Sequence, residues 1–519
     1  MIACTALGVA VARTHEPVSH RLAGAALRPE RVAVGINLAA LSYYSSEYPF
    51  VDAFKCSEPF LHQSRDRWEV DEPLELRQDG YPARLAAGRL AGSLMFRSVG
   101  THYPAGDYVC LYDGDGDLSF GFAARVVSRA AGRIIVRVDP SDGGIYLKIT
   151  RTNPANPVHD IRLIMPGFEK TYREQPFHPD FLERWRGFSV IRFMDWTRTN
   201  DSTTVDWADR CKVDDQTQAG PSGCAPEYIA DLANTLDADP WICIPHRATD
   251  RYVSSLATML RQRLEPNRTI YLEYSNETWN GLFDQEEHCR SNGLAAGLSA
   301  NADTAGRRYY ARRATEVFAV FARSFDAART LRVLAVQNDN PAASREVLDS
   351  EGAWGTADAL AIAPYFGTSL GNPARRSKVR ELSVEQVLSA AREDVTRAMQ
   401  NAAAHARLAH SRDLRLLAYE AGPHLAGYDG VENDDVVTRL FEEANRSAAM
   451  GEIYSRYLQL WKALGGGVFA AFNSTQRYSR WGSWGLCEDY GPESWRAPKY
   501  RALRAFLEQE SESASPGQR

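Results

Sequence analysis

The 519-residue chain has eight cysteines but no CxxC pair, no surplus of positive charge, and no stretch approaching the ~18 unbroken apolar residues of a membrane span. The missing CxxC argues against a zinc cluster or a thioredoxin-type motif. Sixty Lys and Arg against 66 Asp and Glu leave a formal net charge of −6, so no basic face is available for a polyanion and no nucleic-acid partner is expected. Disorder is excluded as well, because 44% hydrophobic and 24% charged residues make a globular balance. What the chain does have is aromatic rings: 11 Trp, 23 Tyr and 20 Phe exceed what a core needs, and flat rings also stack on sugars, bases and flavins.

The ends carry little. Residues 1–12 form a short apolar run closed by Ala10, Val11 and Ala12, with no positive residue ahead of it. It reads equally as the second half of a secretory signal or as a ragged end, and 1–30 is set aside as an N-terminal segment. The polar tail 511–519 is expected to fray. An extracellular or periplasmic location is favoured, with the cytoplasm as the alternative. Cys211 and Cys224 share one Gly/Pro-rich loop and would pin it as a disulfide in an exported protein, or stand as buried thiols otherwise.

From residue 31 onward, eight short apolar runs alternate with amphipathic stretches: 31–37, 188–196, 240–246, 269–277, 331–339, 359–367, 414–422 and 467–474. Each run is nearly continuous in apolar residues, as parallel strands buried on both faces require. The stretches between them have helical periodicity and capping residues, such as Ser383 ahead of Glu385 and Gln386. Strand and helix repeated eight times predict an α/β fold, a (β/α)₈ TIM barrel built from 31–73 and 167–510. The repeat is interrupted once. Over 74–166 the pattern becomes short alternating segments between turn-rich clusters, which predicts an antiparallel β-sandwich inserted between barrel strands one and two. Asp113, Asp115 and Asp117 in the DGDGD turn resemble a fragment of a calcium loop but lack its remaining ligands, so an ordinary hairpin turn is expected and no metal or other cofactor.

Chemistry in such a barrel sits where strands end. The run ends supply Asn37, then Arg192 with Asp195 and Trp196, His246, Asn276 and Glu277 with Trp279, Gln337 and Asn338, Tyr365, Glu420, and Asn473. Glu277 and Glu420 therefore close strands four and seven, on opposite sides of the ring. One acid protonating a leaving oxygen while another attacks, or activates water, is what glycosidic cleavage needs. An isolated Glu at a strand end more often caps a helix or pairs with an Arg. Two at matched positions favour catalysis, since desolvating an unpaired carboxylate costs several kcal/mol. Arg192 is the expected partner of Glu420, with a barrel-mouth salt bridge as its structural alternative, and Tyr365 is expected to donate to the same carboxylate. His246 is expected to orient substrate or acid. Asn276 is expected to hold a sugar 2-hydroxyl.

These motifs resemble the retaining glycoside hydrolases of clan A, in which an Asn-Glu pair carries the acid/base and a later Glu is the nucleophile. The resemblance covers 31–73 and 167–510 and rests on Asn276-Glu277, Glu420 and Tyr365. It implies Glu277 as acid/base, Glu420 as nucleophile, and Arg192 and Tyr365 as supports. The phrase YLEYSNETWN is also similar to that of large bacterial proteins loosely labelled cellulose-binding. One departure stands out: Phe472 and Asn473 occupy the end of strand eight, where the clan usually has a Trp as a floor for the sugar. Trp481 or Trp484 is expected to replace it.

Rings gather where a cleft would lie: Tyr43, Tyr44, Tyr48 and Phe50, then Trp196, Trp207, Trp279, Trp481 and Trp484. Stacking on pyranose faces would account for them, with about half folded back as small cores. The reading is a retaining hydrolase, possessing no cofactor, that degrades a polysaccharide or oligosaccharide such as a β-linked glucan. A non-catalytic carbohydrate-binding protein and a transglycosylase are the alternatives. No planar row of Trp marks the insertion, which points to a structural or cleft-shaping part for it.

Overall fold

The computed structural model of the protein describes residues 32–512, so the segment 1–30 and most of the tail 511–519 lie outside the described residues. Eight strands close into a parallel barrel in chain order: Val34–Asn37, Val190–Arg192, Asp239–Ile244, Ile270–Tyr274, Thr330–Ala335, Ala359–Ile362, Arg415–Ala421 and Phe469–Ala471. Each falls on an apolar run of the sequence. The ring is sealed by pairing of the first strand with the last, Gly35 opposite Ala470. A helix follows every strand, so the chain is a (β/α)₈ barrel.

Strand alternation divides the barrel into two packings. Val34, Ile36, Ile191, Ile242, Leu272, Leu360 and Leu416 join the large cluster shared with the helices. Val190, Trp241, Tyr271, Val333, Ala359, Leu417 and Val468 form a separate cluster that fills the barrel. Helix starts follow the capping rules. Ser383 accepts from the Gln386 N–H at 3.2 Å, and the Gln386 side chain returns the bond to the Ser383 N–H at 2.8 Å. The stretch 434–464 forms two helices, Asp435–Arg446 and Ala448–Ala463. Ser447 interrupts them and caps the second.

Between barrel strands one and two lie two four-stranded antiparallel sheets. One contains Leu61–Ser64, Arg89–Met95, Ile145–Thr152 and Gly116–Phe122; the other contains Ala124–Ala130, Arg133–Val138, Gly106–Asp113 and His159–Ile164. Side chains from both, including Ala91, Leu147, Tyr108 and Val136, belong to one buried cluster. The first sheet begins ahead of residue 74, since Leu61–Ser64 pairs with Arg89–Met95. The DGDGD segment is not a hairpin turn: it carries the chain from one sheet to the other, with Asp113 paired to Arg162 and Asp117 to Arg151.

The insertion is tied to the barrel by buried polar contacts. Asp52 accepts from the Leu163 N–H at 2.8 Å. The loop after strand two reaches it through Gln216 and Thr217, each 2.7 Å from Ser57. These bonds hold the loop, and of the two alternatives for Cys211 and Cys224 the structure shows the second, free and buried thiols. Among the described residues, no helix is long and apolar enough to cross a membrane.

Candidate active site

The site is built around a guanidinium at the centre of the barrel. Arg192 continues the inward alternation of Val190 and is fully buried. Its Nη1 donates to Glu420 Oε1 at 2.8 Å and to Asn37 Oδ1 at 3.0 Å. Its Nη2 donates to Glu273 Oε2 at 3.0 Å and to Asn276 Oδ1 at 2.9 Å. A buried guanidinium is costly unless its donors are met, and here four side chains from three other strands meet them.

Glu420 receives a second bond from the Tyr365 hydroxyl at 2.9 Å on its Oε2. Its inward aim is not given by strand alternation. Leu417 and Tyr419 already face the barrel interior, which would send Glu420 toward the helices. The pairing of strand seven with strand eight is irregular between Ala418 and Ala421, and a bulge of this kind re-aims a side chain. Tyr419 and Glu420, chain neighbours, therefore both serve the site.

Glu277 sits beyond strand four, where Ser275 and Glu277 adopt positive φ values of 61° and 41°. Non-glycine residues rarely take that conformation, and such strain gathers at functional positions. Its carboxyl accepts from Asn280 Nδ2 at 2.8 Å and from the Tyr419 hydroxyl at 3.1 Å. Both donors are neutral. Burial, and secondarily the charge of Glu420, push Glu277 up to about 7. Burial also raises Glu420, but Arg192 and Tyr365 oppose the shift. Of two coupled acids, the one bonded to the cation ionises first. Arg192 and Tyr365 thus bias Glu420 toward the carboxylate, while burial biases Glu277 toward the protonated acid.

The other expected residues fall into three groups. Asn276 and Tyr365 join the network as described, and Asn276 also donates to Asn200 at 3.0 Å, an atom that Gln285 reaches at 2.7 Å. Trp484 lies against Tyr365, His424 and Phe472, with ring centroids 5.6, 4.7 and 5.8 Å apart, so it walls the Glu420 side of the mouth. Trp481 is 62% exposed, with the Arg480 guanidinium 4.5 Å from its ring centre. Trp279 is half-buried, and its indole N–H lacks a partner among the described residues.

Trp196 and His246 depart from their expected places, while Asn37 takes a supporting one. Trp196 is fully buried against Phe50, Phe181 and Phe193 and cannot stack on a ligand. Tyr48 and Phe50 are buried as well. Asn37 spends its amide on the Tyr419 and Ala471 carbonyls, at 2.9 and 3.3 Å, and on Arg192, which makes it a strut. His246 meets neither carboxylate: its ring lies edge-on to His288 at 5.0 Å, and burial, then His288 and Arg247, lower it to about 4.

Several residues were not anticipated. Glu273 is completely buried beneath Arg192 and also accepts from Trp241 Nε1 at 2.7 Å. Its position two residues after inward Tyr271 was the available signal. Lys499, buried in the last helix (Pro498–Glu512), donates to the carbonyls of Ser483 at 2.6 Å and Trp484 at 3.4 Å, and so props the aromatic wall. Asp195, already picked out at the end of run two, is raised to about 7 by burial and by Glu420. Among the described residues, no group of three or more His, Cys, Asp or Glu is placed to hold a metal ion.

A (β/α)₈ barrel whose mouth holds two buried carboxyl groups, one bonded to a guanidinium and the other only to neutral donors, is the class that fold and geometry define. No protein family and no curated protein matches the chain by sequence. Among solved structures, it is similar to a 4-O-α-L-rhamnosyl-β-D-glucuronidase from Fusarium oxysporum, at 14% identity over 63% of this chain and 62% of that one, with a TM-score of 0.36. It is also similar to a modular endo-β-1,4-mannanase from Cellulomonas fimi, at 10% identity over 63% of each chain, with a TM-score of 0.34. A third is the endo-β-1,4-mannanase of Thermotoga petrophila, at 11% identity over 65% of this chain and 74% of that one, with a TM-score of 0.37. The chain spans less than two thirds of the length of the first two enzymes. Likenesses this distant decide neither substrate nor mechanism.

Proposed function

We propose that the protein is a retaining glycoside hydrolase acting on a β-linked polysaccharide or oligosaccharide, a glucan or a related plant or bacterial polymer. The observation that carries this reading is the contrast between Glu420, bonded to the Arg192 guanidinium, and Glu277, bonded only to neutral donors. Nucleophile and acid require those opposite states.

In this reading the Glu420 carboxylate attacks the anomeric carbon while Glu277 gives its proton to the departing oxygen. A covalent glycosyl-enzyme forms and the leaving sugar departs as an alcohol. Glu277, now ionised, takes a proton from water, which displaces Glu420 and restores both groups. Arg192 and Tyr365 keep Glu420 charged and fixed; Asn276, oriented by Arg192 and Asn200, retains one amide N–H for a substrate hydroxyl. Trp484 supplies the aromatic surface that the end of strand eight lacks. The chemistry requires no cofactor. The two sheets of the insertion are read as the layers of a sandwich beside the cleft, and a polymeric substrate favours work outside the cytoplasm.

Incubation with β-glucans, mannans and xylans, followed by mass analysis and anomeric NMR, tests the proposal. Shortened chains with retained β-configuration at first appearance are expected. Inverted products would remove the double displacement. Tight binding without products would leave a carbohydrate-binding protein, and lengthened chains a transglycosylase.

A further inference from the structure

The outer face of the insertion's first sheet carries an aromatic surface that the barrel site does not use. Ile145, Leu147 and Ile149 of the strand Ile145–Thr152 point into the core, which leaves Tyr146 and Lys148 on the opposite face. Trp68 and Phe122 flank Tyr146 and are 47% and 45% exposed. The planes of Trp68 and Phe122 differ by only 12°, with centroids 6.4 Å apart. Tyr146 lies 4.9 Å from Trp68 and 5.3 Å from Phe122, its plane within 34° and 27° of theirs.

Glycine makes this arrangement possible. A Cβ at Gly92 would stand 2.8 Å from the Tyr146 ring, and one at Gly121 3.5 Å from it. The ring therefore lies across the sheet above two residues without side chains, and its hydroxyl is locked by a bond to Gln63. Cations border the rings: the Arg97 guanidinium is 5.3 Å from the centre of Phe122, and the Lys148 ammonium 5.0 Å from that of Tyr146. The surface also adjoins the barrel mouth. The Arg97 N–H donates to the Tyr43 carbonyl at 2.7 Å, in the loop after barrel strand one, where exposed Tyr44 packs on Tyr43 at 5.0 Å.

We propose that Trp68 and Phe122, seated on the buried Tyr146 ring, form a second glycan-binding surface, which takes a β-linked polysaccharide chain outside the cleft. This rests on the hydrolase reading for the choice of glycan. Large exposed rings grouped on one face mark an interaction site. Their near-parallel planes suit the flat C–H face of a pyranose, and the flanking cations and Tyr43–Tyr44 suit its hydroxyl rim and a path toward the mouth.

The test compares wild type with the double variant W68A/F122A in native gels containing soluble β-glucan, mannan or xylan, with near-UV circular dichroism to verify folding. Binding roughly tenfold weaker in the variant is expected, with kcat/KM on a small aryl β-glycoside unchanged. Equal retardation of both proteins, or no retardation of wild type on any glycan, overturns the proposal. So does a wild-type dimer that the variant loses, which would make the face a self-association surface. If no glycoside is cleaved but retardation still depends on the two rings, the hydrolase reading fails and this surface stands. If glycans are cleaved and retardation does not depend on them, only this surface fails.

Discussion

Tyr419 donates its hydroxyl to Glu277 at 3.1 Å, although its own chain neighbour is the opposing acid, Glu420. One segment of strand seven thus supplies the proposed nucleophile and a hydrogen bond to the proposed acid. The positions of the two carboxyls are coupled through a single backbone irregularity at Ala418–Ala421.

Replacement of either acid separates their roles. E420A is expected to lower kcat by roughly 10⁴-fold or more with no loss of fold. E277Q is expected to lower it by about 10²–10⁴-fold on substrates with poor leaving groups and far less on activated aryl glycosides, which need little proton donation. Steady-state kinetics on the two substrate types distinguish them; equal losses for E277Q on both would contradict its assignment.

The pH profile of kcat/KM should be a bell. Activity rises with pH as Glu420 loses its proton, because only the anion attacks. It falls as pH climbs through about 7, where Glu277 surrenders the proton it must donate. Tyr419→Phe removes one bond that favours the Glu277 anion, so the alkaline limb is expected to move upward. A limb unmoved by that change would show that another group controls it.

Arg192→Met strips Glu420 and Glu273 of their shared cation and leaves both buried. A loss of about 3–5 kcal/mol in stability is expected by chemical denaturation. In protein that remains folded, the acid limb should shift to higher pH. Adding Glu273→Gln to the variant is expected to restore part of the stability but none of the activity.

Lys499→Met keeps the length of the side chain but removes its bonds to Ser483 and Trp484. KM for oligosaccharides should rise by roughly tenfold through a loosened Trp484, with a smaller change in kcat. Fluorescence quenching would report greater access to indole. An unchanged KM would show that the wall does not depend on this prop.

The barrel was legible because parallel strands buried on both faces leave continuous apolar runs, and all eight runs carry a strand. Glu277, Glu420, Arg192 and Tyr365 were legible because barrel chemistry gathers at strand ends. Glu273 was hidden inside the fourth run, where one acid between aromatic and aliphatic neighbours does not disturb the pattern. Trp196 misled for the opposite reason: it follows a strand end, but Phe50 and Phe181 from distant parts of the chain enclose it. The platform of Trp68, Phe122 and Tyr146 was invisible, since its rings come from three separated segments that meet only in the folded insertion.

The kink in strand seven has a practical corollary for anyone transplanting this chemistry. Copying the side chains onto a regular ladder would deliver a glutamate that faces the surrounding helices, in a protein that folds well and does nothing. Removing one residue at the kink should have the same outcome here: a sound barrel with the Glu420 carboxyl turned away from Arg192 and Tyr365.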